Sequence, residues 1–202
     1  MQLILLRHGE SEWNLANKFT GWKDVLLTEN GIKEAHFSGK KLLETNINID
    51  SIYTSILTRA THTTDIVAEI IGFSKENIQY DWRLNERHYG ALQGLNKSET
   101  AEKYGEDQVH IWRRSYNIPP PLLSENDKRH PKFDNKFKDI KEILPAGESL
   151  KDVIQRLNPF WETYLEYITA NIGNHLIVAH SNSLRAIIKT LDGLNSEEIM
   201  DI

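Results

Sequence analysis

Cysteine is absent from the 202 residues. That excludes disulfides, thiolate metal sites and cysteine nucleophiles, and it suits a reducing cytoplasm, the expected location. Long apolar runs are missing too. Leu3–Leu6 and Leu176–Ala179 are far too short to span a bilayer. The opening Met1-Gln2-Leu3-Ile4-Leu5-Leu6 has no basic region and no cleavage site, so neither a signal peptide nor a membrane partner is expected. Nor is positive charge in excess: the net charge is -5, and no basic stripe invites nucleic acid. An anionic substrate would need a local positive site against that background. What remains, 39% hydrophobic and 26% charged, is ordinary for a globular chain long enough to bury one core, and a single domain over 1–202 is expected.

Leu3-Ile4-Leu5-Leu6 is a continuous apolar run and reads as a strand buried on both faces. Thr28 is a candidate N-cap for a helix carrying Ile32, Ala35, Gly39, Leu42 and Leu43 on one side. A short strand follows at 51–54 and a helix at 60–71. Ser149 starts the strongest helical stripe, from Leu150 to Ile168, with Pro159 expected to bend it. A second buried strand, 175–179, precedes a helix at 184–191. Strands alternating with helices give an α/β class, with a mainly parallel central sheet and helices on both faces. Residues 83–147 break the rhythm: they are polar and carry Pro119-Pro120-Pro121. They read as an insertion covering the C-terminal edge of the sheet.

Ligands in open α/β sheets bind beyond the carboxyl ends of the strands. The three legible strands end at Arg7-His8-Gly9-Glu10-Ser11, at Ser55 and then Arg59, and at His180-Ser181-Asn182. Parallel strands would bring His8, Arg59 and His180 to one edge. Paired histidines suggest a metal, but arginines beside them repel a cation and suit a phosphate instead. A histidine among such arginines is held neutral and can act as a nucleophile. Gly9 would let backbone approach the ligand, and 10–14 would add donors. The chain has no P-loop, no Gly-x-Gly-x-x-Gly and no Gly-x-Ser-x-Gly. Glu86 is a candidate general acid or base among 29 acidic residues. Arg113-Arg114 and Lys97 either face solvent or hold a second anionic group. His36, His62, His110, His130 and His175 read as packing or surface, and His88 either way. The five tryptophans read as packing, with Trp13 and Trp22 flanking candidate phosphate loops.

These residues lie in blocks that closely resemble the cofactor-dependent phosphoglycerate mutases of the histidine phosphatase superfamily. The blocks are Leu-Arg-His-Gly-Glu-Ser-Glu-Trp-Asn (6–14), Phe-Thr-Gly-Trp (19–22) and Tyr-Thr-Ser…Arg-Ala (53–60). They continue in Leu-Asn-Glu-Arg-His-Tyr-Gly-Ala-Leu-Gln-Gly-Leu-Asn-Lys (84–97), Trp-Arg-Arg (112–114) and Ala-His-Ser-Asn-Ser-Leu-Arg (179–185). Arg-His-Gly marks only the superfamily, whereas the block from Glu86 with Arg113-Arg114 is much more specific to the mutase branch. The resemblance implies interconversion of 3-phosphoglycerate and 2-phosphoglycerate, with a phosphatase using the same phosphohistidine as the alternative. It implies that His8 takes the phosphoryl group, that Arg7, Arg59 and His180 cradle it, and that Glu86 moves the hydroxyl proton. Ser11, Asn14, Thr20, Gly21, Ser181 and Asn182 would add contacts. Arg87, Tyr89, Lys97, Arg113 and Arg114 would grip the rest of the substrate. It further implies priming by 2,3-bisphosphoglycerate, no metal, and a homo-oligomer, a dimer being favoured.

Two features depart from the family pattern. Ser181 stands where glycine is usual, so its side chain either crowds the phosphate or adds a donor. The family chain also runs on past a helix like 196–200 into a further strand and a mobile tail. Either this chain lacks both, exposing a sheet edge and admitting water to the phosphohistidine, or they lie outside the sequence given.

Overall fold

The computed structural model describes the backbone of residues 1–202 and every side chain except those of Thr169 and Asp201. Four parallel strands form the sheet: β1 (Gln2–Arg7), β2 (Ser51–Thr54), β3 (Ile78–Tyr80) and β4 (Asn174–Ala179), in the order β1-β4-β2-β3. Side chains alternate across it. Ile4, Leu6, Ile52, Leu176 and Val178 face a cluster that includes Val67 and Ala68. Those two belong to α3 (Thr58–Ile71), which packs on α2 (Glu29–Glu44). Leu3, Leu5, Tyr53, Ile177 and Ala179 face the opposite cluster, built on α6 (Leu150–Ala170) and α7 (Ser181–Asp192). The helices thus cover both faces, as expected of an α/β sheet.

Two expectations change, and a fourth strand is added. β1 is the outermost strand, and Leu3–Leu6 are only half-buried. Helices cover its faces, but among the described residues only β4 pairs with it. β3 has just three residues, of which only Ile78 is buried. The segment 196–200 forms a 3-10 turn, Glu198–Asp201, rather than an α-helix.

Thr28 caps α2 by accepting from the Gly31 N–H, and Ser149 caps α6 in a reciprocal capping box with Asp152. Pro159 lies inside α6 on its exposed side, where the missing N–H costs least. Residues 83–147 hold two further helices, α4 (Lys97–Tyr104) and α5 (Glu106–Arg114). They dock through a small cluster of Phe19, Leu92 and Val109, joined by Tyr89, Ala101 and Trp112. That cluster turns Lys97, Arg113 and Arg114 toward the carboxyl ends of β1 and β4, where all three join His8 on one cavity wall. Among the described residues no helix is long and apolar enough to cross a membrane.

Candidate active site

The ends of β1 and β4 are tied together where the His8 N–H donates to the Ala179 carbonyl, 3.1 Å. One residue later on each strand a histidine leaves the sheet. The rings of His8 and His180 lie 4.9 Å apart between centroids. His8 Nδ1 is 2.7 Å from the Gly9 carbonyl, which can only accept, so Nδ1 carries the hydrogen. Nε2 therefore holds the lone pair. Arg59 Nε donates to it at 3.3 Å, while Arg59 Nη1 and Nη2 are fixed by the carbonyls of Lys23 and Gly21. Burial, followed by the charge of Arg59, holds the His8 pKa well below the ordinary imidazole value. Burial pushes His180 the same way, with Arg59 and His8 adding to it. Arg59 is itself brought down to about 10, chiefly by burial.

Glu86 approaches from the insertion. Its Oε1 accepts from Arg87 N at 2.7 Å, Asn182 Nδ2 at 2.9 Å and Asn182 N at 3.3 Å, whereas Oε2 takes none of these bonds. The Asn182 amide is oriented by Arg185, whose Nη1 donates to its Oδ1 at 3.2 Å.

A cavity of about 230 Å³ opens onto His8 and Glu86. Arg7, Lys18, Arg59, Lys97, Arg113, Arg114 and Arg185 line it, seven cations against the single carboxylate of Glu86. Asn14, Thr20, Gly21, Tyr89, Ser181 and Asn182 complete the wall. Such a lining stabilises a polyanion, and it offsets the negative net charge locally. Burial lowers the Lys97 pKa as well.

Three of the expected site residues lie off the wall. Ser11 is fully buried as the N-cap of the short helix α1 (Glu12–Leu15), its hydroxyl donating to Asn14 Oδ1 at 2.8 Å. His180 is fully buried behind His8, with Nε2 2.7 Å from Ser55 Oγ. Arg87 is buried with its Nη2 on the Arg113 carbonyl, 2.8 Å, and its guanidinium over the Tyr89 ring. Gly9 is also required by packing: a Cβ there would stand 2.2 Å from the Gly31 carbonyl oxygen of α2. Sequence reasoning missed Lys18, Arg185 and Ser55. Each adjoins or closes one of the quoted blocks, and that adjacency was the signal available.

A family model described as "Histidine phosphatase superfamily (branch 1)" matches residues 3–126 and 122–202. The chain is 50% identical over its full length to "2,3-bisphosphoglycerate-dependent phosphoglycerate mutase 2" of Lactiplantibacillus plantarum, covering 88% of that protein. It is 50% identical over its full length to the protein of the same name from Bacteroides thetaiotaomicron, covering 82% of it. Among solved structures, "Mycobacterial hydrolase 1" superposes with a TM-score of 0.76 at 22% identity, over 98% of this chain and 82% of that one. A mycobacterial glucosyl-3-phosphoglycerate phosphatase complexed with VO3 gives 0.74 at 23%, over 99% and 86%. At these identities the superpositions speak for the fold alone. The family model spans everything after the first two residues, and on that match the chain belongs to the histidine phosphatase superfamily, branch 1.

Proposed function

We propose that this protein interconverts 3-phosphoglycerate and 2-phosphoglycerate through a phosphoryl group carried on His8. The observation that carries this reading is a neutral histidine sharing a cavity with one carboxylate and seven cations. Relatives identical at half of all positions, end to end, bear the name of that reaction. Priming by 2,3-bisphosphoglycerate, which supplies the phosphoryl group that loads His8, belongs to the same reading. The chain suits so charged a donor: on the cavity wall, buried Arg185 Nε has no hydrogen-bond partner and its guanidinium no carboxylate in an ion pair among the described residues.

In this reading His8 Nε2 attacks phosphorus in line, the bridging P–O bond breaks, and the departing oxygen takes a proton from Glu86. In the return step a hydroxyl of bound phosphoglycerate gives its proton to Glu86 while its oxygen attacks phosphorus, and His8 leaves as neutral imidazole. Charge spreads over the three equatorial oxygens, where Arg7, Arg59, Asn14, Thr20, Gly21 and Asn182 offer donors. Ser181 lies on the cavity wall, and in this reading its hydroxyl serves as one more donor. His180 supports His8 from behind, and Ser11 acts by orienting Asn14. Tyr89, Lys97, Arg113 and Arg114 take the carboxylate and the second phosphate, with Arg87 holding Arg113 and Tyr89 from behind.

Wild-type protein given 3-phosphoglycerate and catalytic 2,3-bisphosphoglycerate is expected to form 2-phosphoglycerate and to carry an acid-labile phosphate on His8 by mass spectrometry. His8→Ala is expected to lose both. Steady release of free phosphate without 2-phosphoglycerate would overturn the mutase reading in favour of a phosphatase.

A further inference from the structure

We propose that Arg156 and Glu148 are positioning residues for Glu86, a buried ion pair that fixes where its carboxyl group stands. The inference rests on the reading of Glu86 as the group that moves the substrate proton. Glu86 lies in no helix or strand: the nearest regular turn, Trp82–Leu84, ends two residues before it. Something else must hold its backbone. Arg156 Nη1 donates to the Arg83 carbonyl at 2.6 Å, and Nη2 donates to the carbonyls of Asn85 and Glu86, both at 3.2 Å. Arg156 Nε reaches Glu148 Oε1 at 2.6 Å and Nη2 reaches Oε2 at 3.1 Å. Glu148 Oε2 accepts in turn from His88 N at 2.8 Å, and the Glu148 N–H donates to the His88 carbonyl at 2.8 Å. Three of the five side-chain polar atoms of the pair, together with the Glu148 N–H, are therefore spent on residues 83–88, the segment that carries Glu86.

The side chains of Arg156 and Glu148 are 6% and 3% exposed. Stability alone gives weak reason for such a pair, because desolvation offsets most of its attraction and apolar replacements of similar volume are often no less stable. Geometry gives a stronger one. The guanidinium lies over the Trp22 ring, 5.4 Å from its centroid, and Trp22 Nε1 donates to the same Glu86 carbonyl at 2.5 Å. The peptide of Glu86 is gripped by Trp22 and Arg156 while Asn182 holds its Oε1. Arg156 stands on α6, whose Val153, Leu157 and Phe160 are core residues, so the grip is anchored in the packed layer under the sheet. A misplacement of about 1 Å can cost roughly 100-fold in rate, which makes such anchoring consequential.

The test is a double-mutant cycle on mutase turnover with Glu86→Gln and Arg156→Gln, using Arg156→Lys if the glutamine variant does not fold. A lysine ammonium cannot span three carbonyls and a carboxylate. Glu86→Gln is expected to lower kcat by roughly 100-fold or more. Arg156→Gln should lower kcat by roughly 10- to 100-fold with KM within about twofold of wild type, and add almost nothing in the Glu86→Gln background. If Glu86→Gln turns over like wild type, the reading of Glu86 itself fails. If Glu86→Gln is impaired but Arg156 variants leave kcat intact, raise KM instead, or multiply the loss in the double variant, the positioning role is overturned.

Discussion

The Gly9 carbonyl decides which nitrogen of His8 keeps its lone pair. It accepts from Nδ1, and that bond alone leaves Nε2 to face the cavity with its lone pair. Burial then keeps the ring uncharged at pH values where a free imidazole would take a proton. Long-range nitrogen–proton NMR of the resting enzyme is expected to report the Nδ1–H tautomer, still neutral at pH 6. A ring half-protonated near 6.5 would contradict that. The sign follows from the direction of the shift: a lowered pKa extends the neutral, nucleophilic form toward acid. Ser55 belongs to the same residue-scale economy. Its hydroxyl meets His180 Nε2 and fixes the second ring behind the first, and neither the type nor the spacing of a lone serine announces such a role.

At the scale of elements, the loop after β1 and the first turn of α2 touch backbone to backbone. A Cβ on Gly31 would stand 2.0 Å from the Glu10 carbonyl oxygen. Helix propensity favours alanine over glycine by about 1 kcal/mol, so Gly31→Ala at an open site would stabilise. Here the clash is expected to outweigh that gain, since overpacking costs about 1–3 kcal/mol and the backbone must move. The variant should melt at a lower temperature and load His8 more slowly; a higher melting temperature would show that the contact yields freely. The two strands whose ends supply the histidines were legible because continuous apolar runs in a parallel sheet have few other readings. β3 was not, because one buried isoleucine in three residues makes no pattern. α4 was hidden in the same way: only Thr100 of its eight residues is buried, so its amphipathic signal is faint. The wall residue Arg185 carried no such signal either: its guanidinium is turned inward by the Asn182 amide and the distant Ile199 carbonyl.

For the molecule as a whole, the buried histidines link stability to pH. His8 and His180 are held well below the ordinary value, and burial brings His88 down to about 3. Between those values and the unfolded pKa near 6.5, the unfolded chain binds more protons than the folded one, so stability rises with pH. It is fully present above about 6.5 and drains as pH falls toward the folded values, by up to about 1.4 kcal/mol per pH unit for each histidine. The urea midpoint is expected to drop between pH 7 and pH 5, and His88→Asn to flatten that slope. A midpoint independent of pH over that window would show that the folded protein takes up protons as readily as the unfolded chain, so that burial does not lower these pKa values.

The placing of β1 at the margin of the sheet has a consequence for how the protein comes into being. Its only strand partner among the described residues is β4, and His8 is pinned by the carbonyl of Ala179. His8, the proposed phosphoryl carrier, is synthesised well before its seat, which is not built until some 170 more residues have followed it. The surroundings of His8 therefore form late in synthesis and all at once, and a nascent chain halted before β4 holds that histidine with nowhere to put it.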